Sequence, residues 1–196
     1  MTKIILASKN KNKAREINDI LGTDFEVITQ EEVIGSEFEV IEDGKTFEEN
    51  AIKKAEEISK MTGLLTLADD SGLCVDYLDG APGVYSARFA GEKATNDENV
   101  DKLLDELKDV PLHERDGQFV CVIALASPDA ETLTFKGECA GSITFERKGY
   151  NGFGYDPVFY VTKYDKTMAE LEPHLKNAIS HRSKALKKLV YYFQNK

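Results

Sequence analysis

The sequence predicts an α/β protein with a mixed β-sheet, and three observations support this. Short apolar segments alternate with amphipathic helical segments along the chain, a pattern typical of a sheet covered by helices. Residues 118–127 are apolar at nearly every position, as expected of a strand that is buried on both faces. Residues 132–137 follow a Pro128-Asp129 turn, which predicts an antiparallel hairpin beside the other strands.

The N-terminal half predicts strands over residues 3–8, 25–29, 38–42, and 65–68 with 73–75. A helix over residues 13–22 is indicated by apolar positions on one face and by Gly22 at its end. The helix over residues 46–61 is clearer still, because Thr46 and Glu49 form a capping box.

The C-terminal half begins with a predicted helix over residues 96–109, where Thr95 and Glu98 form a second capping box. The hairpin comes next, then a strand over residues 142–145 and a strand over 157–161. A last helix is expected over residues 180–193.

Charge and composition exclude several classes of function. The 196 residues include 25 Lys and Arg and 35 Asp and Glu, so the formal net charge is −10. Such a chain is a poor ligand for nucleic acid polymers and for anionic membranes, since both require a basic surface. There is no signal-peptide core, no apolar run long enough to span a bilayer and no cysteine pattern of a disulfide or metal site, so we expect a cytoplasmic protein.

A lysine-rich segment between the first strand and the first helix is the first candidate site. It consists of Ser8, Lys9, Asn10, Lys11, Asn12 and Lys13. A helix N-terminus offers N–H groups and a positive dipole end, and lysines add the local charge that a phosphate needs. The alternative is a solvated lysine loop.

Two acidic segments are the next candidates. Asp69 and Asp70 follow an apolar strand, where adjacent carboxylates are costly unless a cation or metal uses them. Because successive strand residues point to opposite faces, only one of the two is expected at a given site. Glu42, at the end of a predicted strand, is a weaker metal-ligand candidate. An acidic turn is the alternative for the Asp pair.

Two later segments also carry candidates. Gly152-Phe153-Gly154-Tyr155-Asp156-Pro157 reads as a mobile loop with an aromatic face for a planar ring, or as a hydrophobic turn. Lys176 and Ser180-His181-Arg182 place cations where a helix N-terminus disfavours them, which is typical of a site or of a solvated basic turn.

Six segments in this order resemble the inosine triphosphate pyrophosphatase family over nearly the whole chain. They are S-x-N-x-x-K from Ser8, TFEENA from Thr46, ADDSGL from Ala68, GAPGVYSARFAG from Gly80, FGYDPVF from Phe153 and KNAISHR from Lys176. The related septum-formation-inhibitor type has S-x-S-P-R-R in place of the first segment, which does not match here. A nucleotide-binding regulator without catalysis would not need the acids Glu42 and Asp70.

The resemblance implies a single pyrophosphatase domain over residues 1–196, with an elongated central mixed sheet flanked by helices and two lobes around a cleft. It also implies a cytoplasmic homodimer that hydrolyses ITP, dITP and XTP to the monophosphate and pyrophosphate with Mg²⁺, and so cleanses the nucleotide pool. In the family roles, Ser8–Lys13 bind the triphosphate, Glu42 and Asp70 hold the metal, and Asp70 is also the general base. The remaining nucleotide contacts are Ser71, Phe153, Gly154, Tyr155, Asp156, Lys176, His181 and Arg182.

Overall fold

The computed structural model describes residues 2–195, so the two ends of the expected 1–196 domain lie outside the described residues. The strands form one seven-stranded sheet in the order β2-β1-β3-β4-β5-β6-β7. Their bounds are Thr2–Leu6 (β1), Phe25–Thr29 (β2), Thr66–Val75 (β3), Asp116–Ser127 (β4), Ala130–Ile143 (β5), Phe159–Val161 (β6) and Lys166–Thr167 (β7). The helices are Lys11–Leu21 (α1), Gln30–Ile34 (α2), Phe47–Thr62 (α3), Asn96–Glu106 (α4), Pro173–Ile179 (α5) and His181–Gln194 (α6).

The sheet is mixed, as the sequence predicts. β1 pairs in parallel with both β2 and β3, with Ile4 opposite Val27 and Leu6 opposite Leu67. β6 pairs antiparallel with β5 and β7. From β1 the chain passes to β2 on one side and then returns to β3 on the other, so β1 lies at a topological switch point. In open α/β sheets, ligand sites lie beyond the carboxyl ends of strands at such points.

The chain divides into two compact units, and the division falls within β3, β4 and β5. The first unit contains the chain up to Asp70, Cys121–Gly137 and the chain from His181 onwards. The second unit contains Ser71–Val120 and Glu138–Ser180.

In the first unit, alternate strand residues enter two separate cores. One core contains side chains such as Leu6, Leu67 and Ile123, together with buried residues of α1 and α6. The other contains Ile5 and Ala68, together with buried residues of α3. This alternation explains why β4 is apolar at nearly every position in this unit. It also decides which helix a polar side chain on these strands meets.

The second unit has one core, and a buried arginine supports it. Arg115 is 1% exposed, and its guanidinium donates to the carbonyl oxygens of Leu107 (2.7 Å), Ile143 (2.8 Å) and Thr144 (2.8 Å). Leu107 caps the C-terminal end of α4, where carbonyl groups have no partner within the helix. Arg115 therefore ties the end of α4 to the end of β5.

Most predicted elements are confirmed. Both capping boxes are present, at Thr46 with Glu49 and at Thr95 with Glu98, and Gly63 ends α3 in the left-handed conformation. The predicted hairpin is present with longer strands, so residues 142–143 belong to β5 and do not start a separate strand.

Three expectations about local structure are wrong. Residues 38–42 form no strand, and they pair with none of the seven strands of the sheet. Asp69 and Asp70 lie inside one continuous strand, β3, and not in an acidic turn. The helices α2 and α5 were not predicted, because they are only five and seven residues long.

Two further expectations concern cysteines and membranes. Cys121 and Cys139 are buried, Cys74 is half-buried, and none of the three forms a disulfide within the described part of the chain. Across residues 2–195, no helix combines the length and the apolar character that crossing a membrane requires.

Replacing Arg115 by Met should destabilise the protein, because it leaves buried carbonyl groups without donors. We expect the free energy of unfolding to fall by at least about 3 kcal/mol in urea denaturation. Arg147 pairs with Asp101 at the surface, so Arg147→Met is the matched control and should change stability by less than about 1 kcal/mol. Equal effects of the two substitutions would contradict the role given to Arg115.

Candidate functional site

The segment after β1 organises its own backbone. The Asn10 side chain caps α1 by accepting the N–H groups of Asn12 (3.0 Å) and Lys13 (3.1 Å), and the Asn10 N–H donates to the Ser8 hydroxyl (3.2 Å). The side chains of Ser8 and Asn10 therefore both accept hydrogen bonds within the loop. Of the loop lysines, Lys9 pairs with exposed Glu39 and Lys11 is exposed.

Lys13 instead pairs with Asp69, which β3 presents to the core beneath α1 and α6. Asp69 is 1% exposed, and its Oδ1 lies 3.0 Å from the Lys13 Nζ. Its Oδ2 accepts hydrogen bonds from the Arg182 Nε (3.2 Å) and Nη2 (3.0 Å), and from the Cys121 thiol (3.7 Å). The third nitrogen of the Arg182 fork, Nη1, donates to Glu16 on α1. Asp69 is thus surrounded by cations.

Asp70 is the next residue of β3 and meets α3 on the other face. Its Oδ2 accepts a hydrogen bond from the Asn50 amide (3.1 Å), and its Oδ1 lies 3.8 Å from the Lys54 Nζ. Lys54 also donates to Glu42 (3.0 Å) and to the Asp69 carbonyl oxygen (2.8 Å). One buried ammonium therefore links the two predicted metal ligands, Glu42 and Asp70.

The pKa values of the two adjacent acids shift in opposite directions. Burial would raise the pKa of Asp69, but Lys13 and Arg182 outweigh it and hold that pKa well below the usual range. For Asp70, burial is the largest effect and raises the pKa, although Lys54 and Lys13 act against it. Burial likewise disfavours the Lys54 ammonium, yet Asp70 and Glu42 raise its pKa.

The oxygen donors of Glu42 and Asp70 fit a hard divalent cation. Both carboxylates already approach one positive charge, the Lys54 ammonium. The described residues contain no cluster of three or more His, Cys, Asp or Glu side chains. Two carboxylates without further protein ligands suit Mg²⁺, which takes one or two carboxylates together with water and phosphate oxygens.

In the second unit, the glycine-rich loop is fixed by a buried ion pair. Asp156 is 3% exposed, and its Oδ2 accepts hydrogen bonds from the Lys176 ammonium (2.6 Å) and the Phe153 N–H (2.8 Å). The Lys176 Nζ also lies 4.8 Å from the centre of the Phe153 ring. Gly152 has a φ of +78°, and a Cβ there would collide with the Asp156 carboxylate. These contacts hold Phe153 in place, so they argue against a freely mobile loop.

Two more of the expected nucleotide contacts belong to the second unit. Ser71 is half-buried and follows Asp70 in β3. Tyr155 is buried, and its hydroxyl donates to the Ser86 carbonyl oxygen (2.8 Å). Burial raises the pKa of Tyr155. Its hydroxyl is thus a structural donor within this unit.

Local placement differs from the sequence expectation at three residues. Glu42 lies in an irregular segment and not at a strand end. Lys176 is in the last turn of α5, where a cation suits the helix dipole, and only His181 and Arg182 begin α6. Arg182 is buried against two carboxylates, although the sequence suggested a donor for a base.

Asn50 and Lys54 are site residues to which the sequence analysis assigned no role. They lie four positions apart on α3, on the same side as the apolar residues Ala51 and Ala55, and both are buried. A lysine and an asparagine on the apolar face of an otherwise clear amphipathic helix were the available signal. The Asn50 amide oxygen also accepts the Gly44 N–H (2.8 Å), which connects the Glu42 segment to Asp70.

The sequence of this chain is similar to a known protein family over nearly its whole length. The profile of the Ham1 family matches residues 4–192, nearly the whole chain. The chain belongs to the Ham1 family. Its resemblance to the inosine triphosphate pyrophosphatases is confirmed by relatives within that family.

The Ham1 relatives are similar over their full length. A dITP/XTP pyrophosphatase of Geobacter sulfurreducens is 53% identical over 95% of this chain and 94% of its own. A dITP/XTP pyrophosphatase of Bacillus licheniformis is 52% identical over 96% of both chains. The solved Staphylococcus aureus Ham1 protein has a TM-score of 0.90 at 46% identity and covers 99% of each chain.

Neutralising the two adjacent acids should change stability in opposite directions. The raised pKa of Asp70 means that its ionised form destabilises the fold at pH 7, so Asp70→Asn should raise the free energy of unfolding. The lowered pKa of Asp69 means that its ionised form stabilises the fold above the unfolded value of about 3.9, and this stabilisation is lost as the pH falls below it. Asp69→Asn should therefore be destabilising.

Urea denaturation in EDTA at pH 7 measures both variants under conditions in which no metal contributes. Each variant serves as the control for the other, since both replace an aspartate by asparagine on the same strand. If both substitutions shift the unfolding free energy in the same direction, the two carboxylates do not have opposite effects on the stability of the fold, and the prediction is wrong.

Proposed function

We propose that this protein hydrolyses the purine nucleoside triphosphates dITP, ITP and XTP to the monophosphate and pyrophosphate. The observation that carries the proposal is the opposed pair Asp69 and Asp70, one holding cations and the other sharing an ammonium with Glu42. A triphosphate needs both a cationic contact and carboxylates for a metal. The names of the Geobacter and Bacillus relatives support dITP and XTP as substrates.

The segment Ser8–Lys13 is proposed to contact the triphosphate. An NTP tail carries several negative charges, and a chain of net charge −10 must meet it with local cations. Lys13 is suited to this because its ammonium is fixed near the start of α1, where the helix dipole also favours anions.

Glu42 and Asp70 are proposed to hold Mg²⁺, and Asp70 is proposed as the general base. When bound, Mg²⁺ supplies Lewis-acid polarisation of the phosphate oxygens. Asp70 orients a water molecule and takes its proton, and its raised pKa suits that task. The water oxygen bonds to the α-phosphorus, the bond from that phosphorus to the bridging oxygen breaks, and pyrophosphate leaves with the electron pair.

The other proposed nucleotide contacts act on the sugar and base. The Phe153 ring is held by its neighbours and suits stacking on a planar base. His181 and Arg182 offer N–H donors, which favour the 6-oxo group of hypoxanthine and xanthine over the 6-amino group of adenine. Ser71, Gly154, Tyr155, Asp156 and Lys176 complete the proposed set.

Assembly and location belong to the same proposal. We infer that the protein is a cytoplasmic homodimer and that residues 1–196 of each chain act as one pyrophosphatase domain. We also infer that it binds a small nucleotide and binds neither nucleic acid polymers nor membranes. The role in cleansing the nucleotide pool follows from the substrates. The cleft between two lobes stays a prediction.

A product assay tests the proposed reaction directly. The purified protein is incubated with dITP, XTP, ITP or ATP and Mg²⁺, and the products are separated by ion-exchange chromatography. We expect monophosphate and pyrophosphate from the first three and little from ATP, with activity lost in EDTA and restored by Mg²⁺. Release of orthophosphate and a diphosphate, or full activity in EDTA, would contradict the proposal.

Asp70→Asn should lower kcat for dITP by about 10²–10⁴-fold, the range typical of a lost general base. The amide keeps the size of the side chain and can still accept a hydrogen bond from Asn50, so the fold should remain intact by circular dichroism. Lys53→Met is a suitable control, since Lys53 lies on α3 and pairs with the exposed Asp43. A variant with near-normal kcat would remove Asp70 from the reaction.

Arg182→Ala should reduce kcat/KM for ITP more than for ATP, so that the ratio between the two substrates falls toward one. The guanidinium has five N–H donors, and three of them are directed to Asp69 and Glu16. Steady-state kinetics on both substrates measures the ratio. An equal loss for ITP and ATP would show that Arg182 acts through its carboxylate partners and does not read the base.

A further inference from the structure

We propose that Asp69 is a positioning residue, whose buried carboxylate fixes the Lys13 ammonium in the orientation that binds phosphate. The inference rests on the proposed function in one respect only, the role of Lys13 as a phosphate contact. It gives the two adjacent acids of β3 separate tasks, since Asp70 serves the metal and the water.

The hydrogen bonds of Asp69 leave it little capacity for any other task. Its side chain is fully buried, Oδ1 faces the Lys13 ammonium, and Oδ2 accepts from Arg182 twice and from Cys121. A buried carboxylate that faces the Lys13 and Arg182 cations within the first unit is poorly placed to ligate a metal. Its contacts point to the ordering of cations.

Lys13 gains most from this contact. A lysine side chain has several rotatable bonds and is usually mobile, so holding its ammonium in one place costs conformational entropy. Asp69 meets that cost before a ligand arrives. An ammonium has three N–H donors, and the ion pair with the Oδ1 of Asp69 engages one side of the group.

The series of ion pairs that includes Asp69 begins and ends on the same helix, α1. Glu16 holds Arg182, Arg182 holds Asp69, and Asp69 holds Lys13. Glu16 and Lys13 are three positions apart on α1, so both ends of this series belong to the same rigid element. Two acids and two bases balance in charge, and the arrangement fixes the Lys13 ammonium relative to β3.

A positioning role and a purely electrostatic role of Asp69 predict opposite changes in anion affinity for Asp69→Asn. The substitution removes one negative charge beside the cations, so a purely electrostatic role predicts tighter binding of an anion. A positioning role predicts weaker binding, because the Lys13 ammonium loses its partner and becomes mobile. We expect weakening by at least about tenfold, the scale of one hydrogen bond to a charged group.

Isothermal titration of inorganic pyrophosphate at constant Mg²⁺ decides between them, because this probe contains no base. Glu16→Gln is the matched control, since it removes one negative charge from the same network while its amide oxygen can still accept the Arg182 Nη1 hydrogen bond. Its Kd for pyrophosphate should stay within about twofold of the wild type. Unchanged or tighter binding by Asp69→Asn would overturn the proposal.

A double-mutant cycle with Lys13→Met tests whether Asp69 acts through Lys13. In the Lys13→Met background, Asp69→Asn should weaken pyrophosphate binding by less than about twofold. An equal loss in both backgrounds would overturn the positioning role alone. If Lys13→Met itself leaves pyrophosphate binding unchanged, the phosphate role of Lys13 in the proposed function fails first.

Asp69→Asn leaves the buried Arg182 with one carboxylate fewer, and this variant is expected to be less stable. If it does not fold, the pair Asp69→Asn with Arg182→Met removes both members of the buried ion pair and avoids an uncompensated charge. This double variant should bind pyrophosphate at least about fivefold more weakly than Arg182→Met alone, in which Asp69 still holds Lys13. Equal affinities of the two would overturn the proposal.

Discussion

The alternation of side chains along β3 is the constraint on which the first unit depends. Asp69 and Asp70 are consecutive, so the strand sends their carboxylates to opposite faces of the sheet. Each face must then supply its own compensation for a buried charge. The face covered by α1 and α6 supplies Lys13 and Arg182, and the face covered by α3 supplies Lys54 and Asn50.

The two faces solve this problem to different degrees. Around Asp69, full cations outweigh the cost of burial, so the charge contributes to folding. Around Asp70, burial outweighs the cations, and the fold carries an acid that its surroundings disfavour. Ionisable residues whose charged form lowers the stability of the fold are typical of functional sites. The adjacent positions therefore divide into a structural acid and a reactive one.

Structural features that depend on residues close together in the sequence were predicted correctly. The capping boxes at Thr46 and Thr95 join residues three positions apart, and the helix starts they predict are correct. Asp69 and Asp70 were correctly predicted to lie on opposite faces, because this depends only on the geometry of one strand.

Pairings between distant segments are different. The partner of Asp69 is Arg182, 113 positions along the chain, and no local pattern indicates that distance. Lys54 was missed because its partners, Glu42 and Asp70, lie on other elements. The predicted strand over residues 38–42 failed for the same reason. A strand needs a pairing partner elsewhere in the chain, and these residues have none in the sheet.

The cap of α1 has a consequence for turnover. The Asn10 side chain accepts the N–H groups of Asn12 and Lys13, so both donors have an acceptor within the loop itself. An arriving phosphate would exchange one acceptor for another and would not have to build the end of the helix. When a product leaves, the Asn10 side chain could accept the same two N–H groups again, so product release would leave no helix donor without an acceptor. A loop of this kind favours rapid exchange of ligands over tight retention.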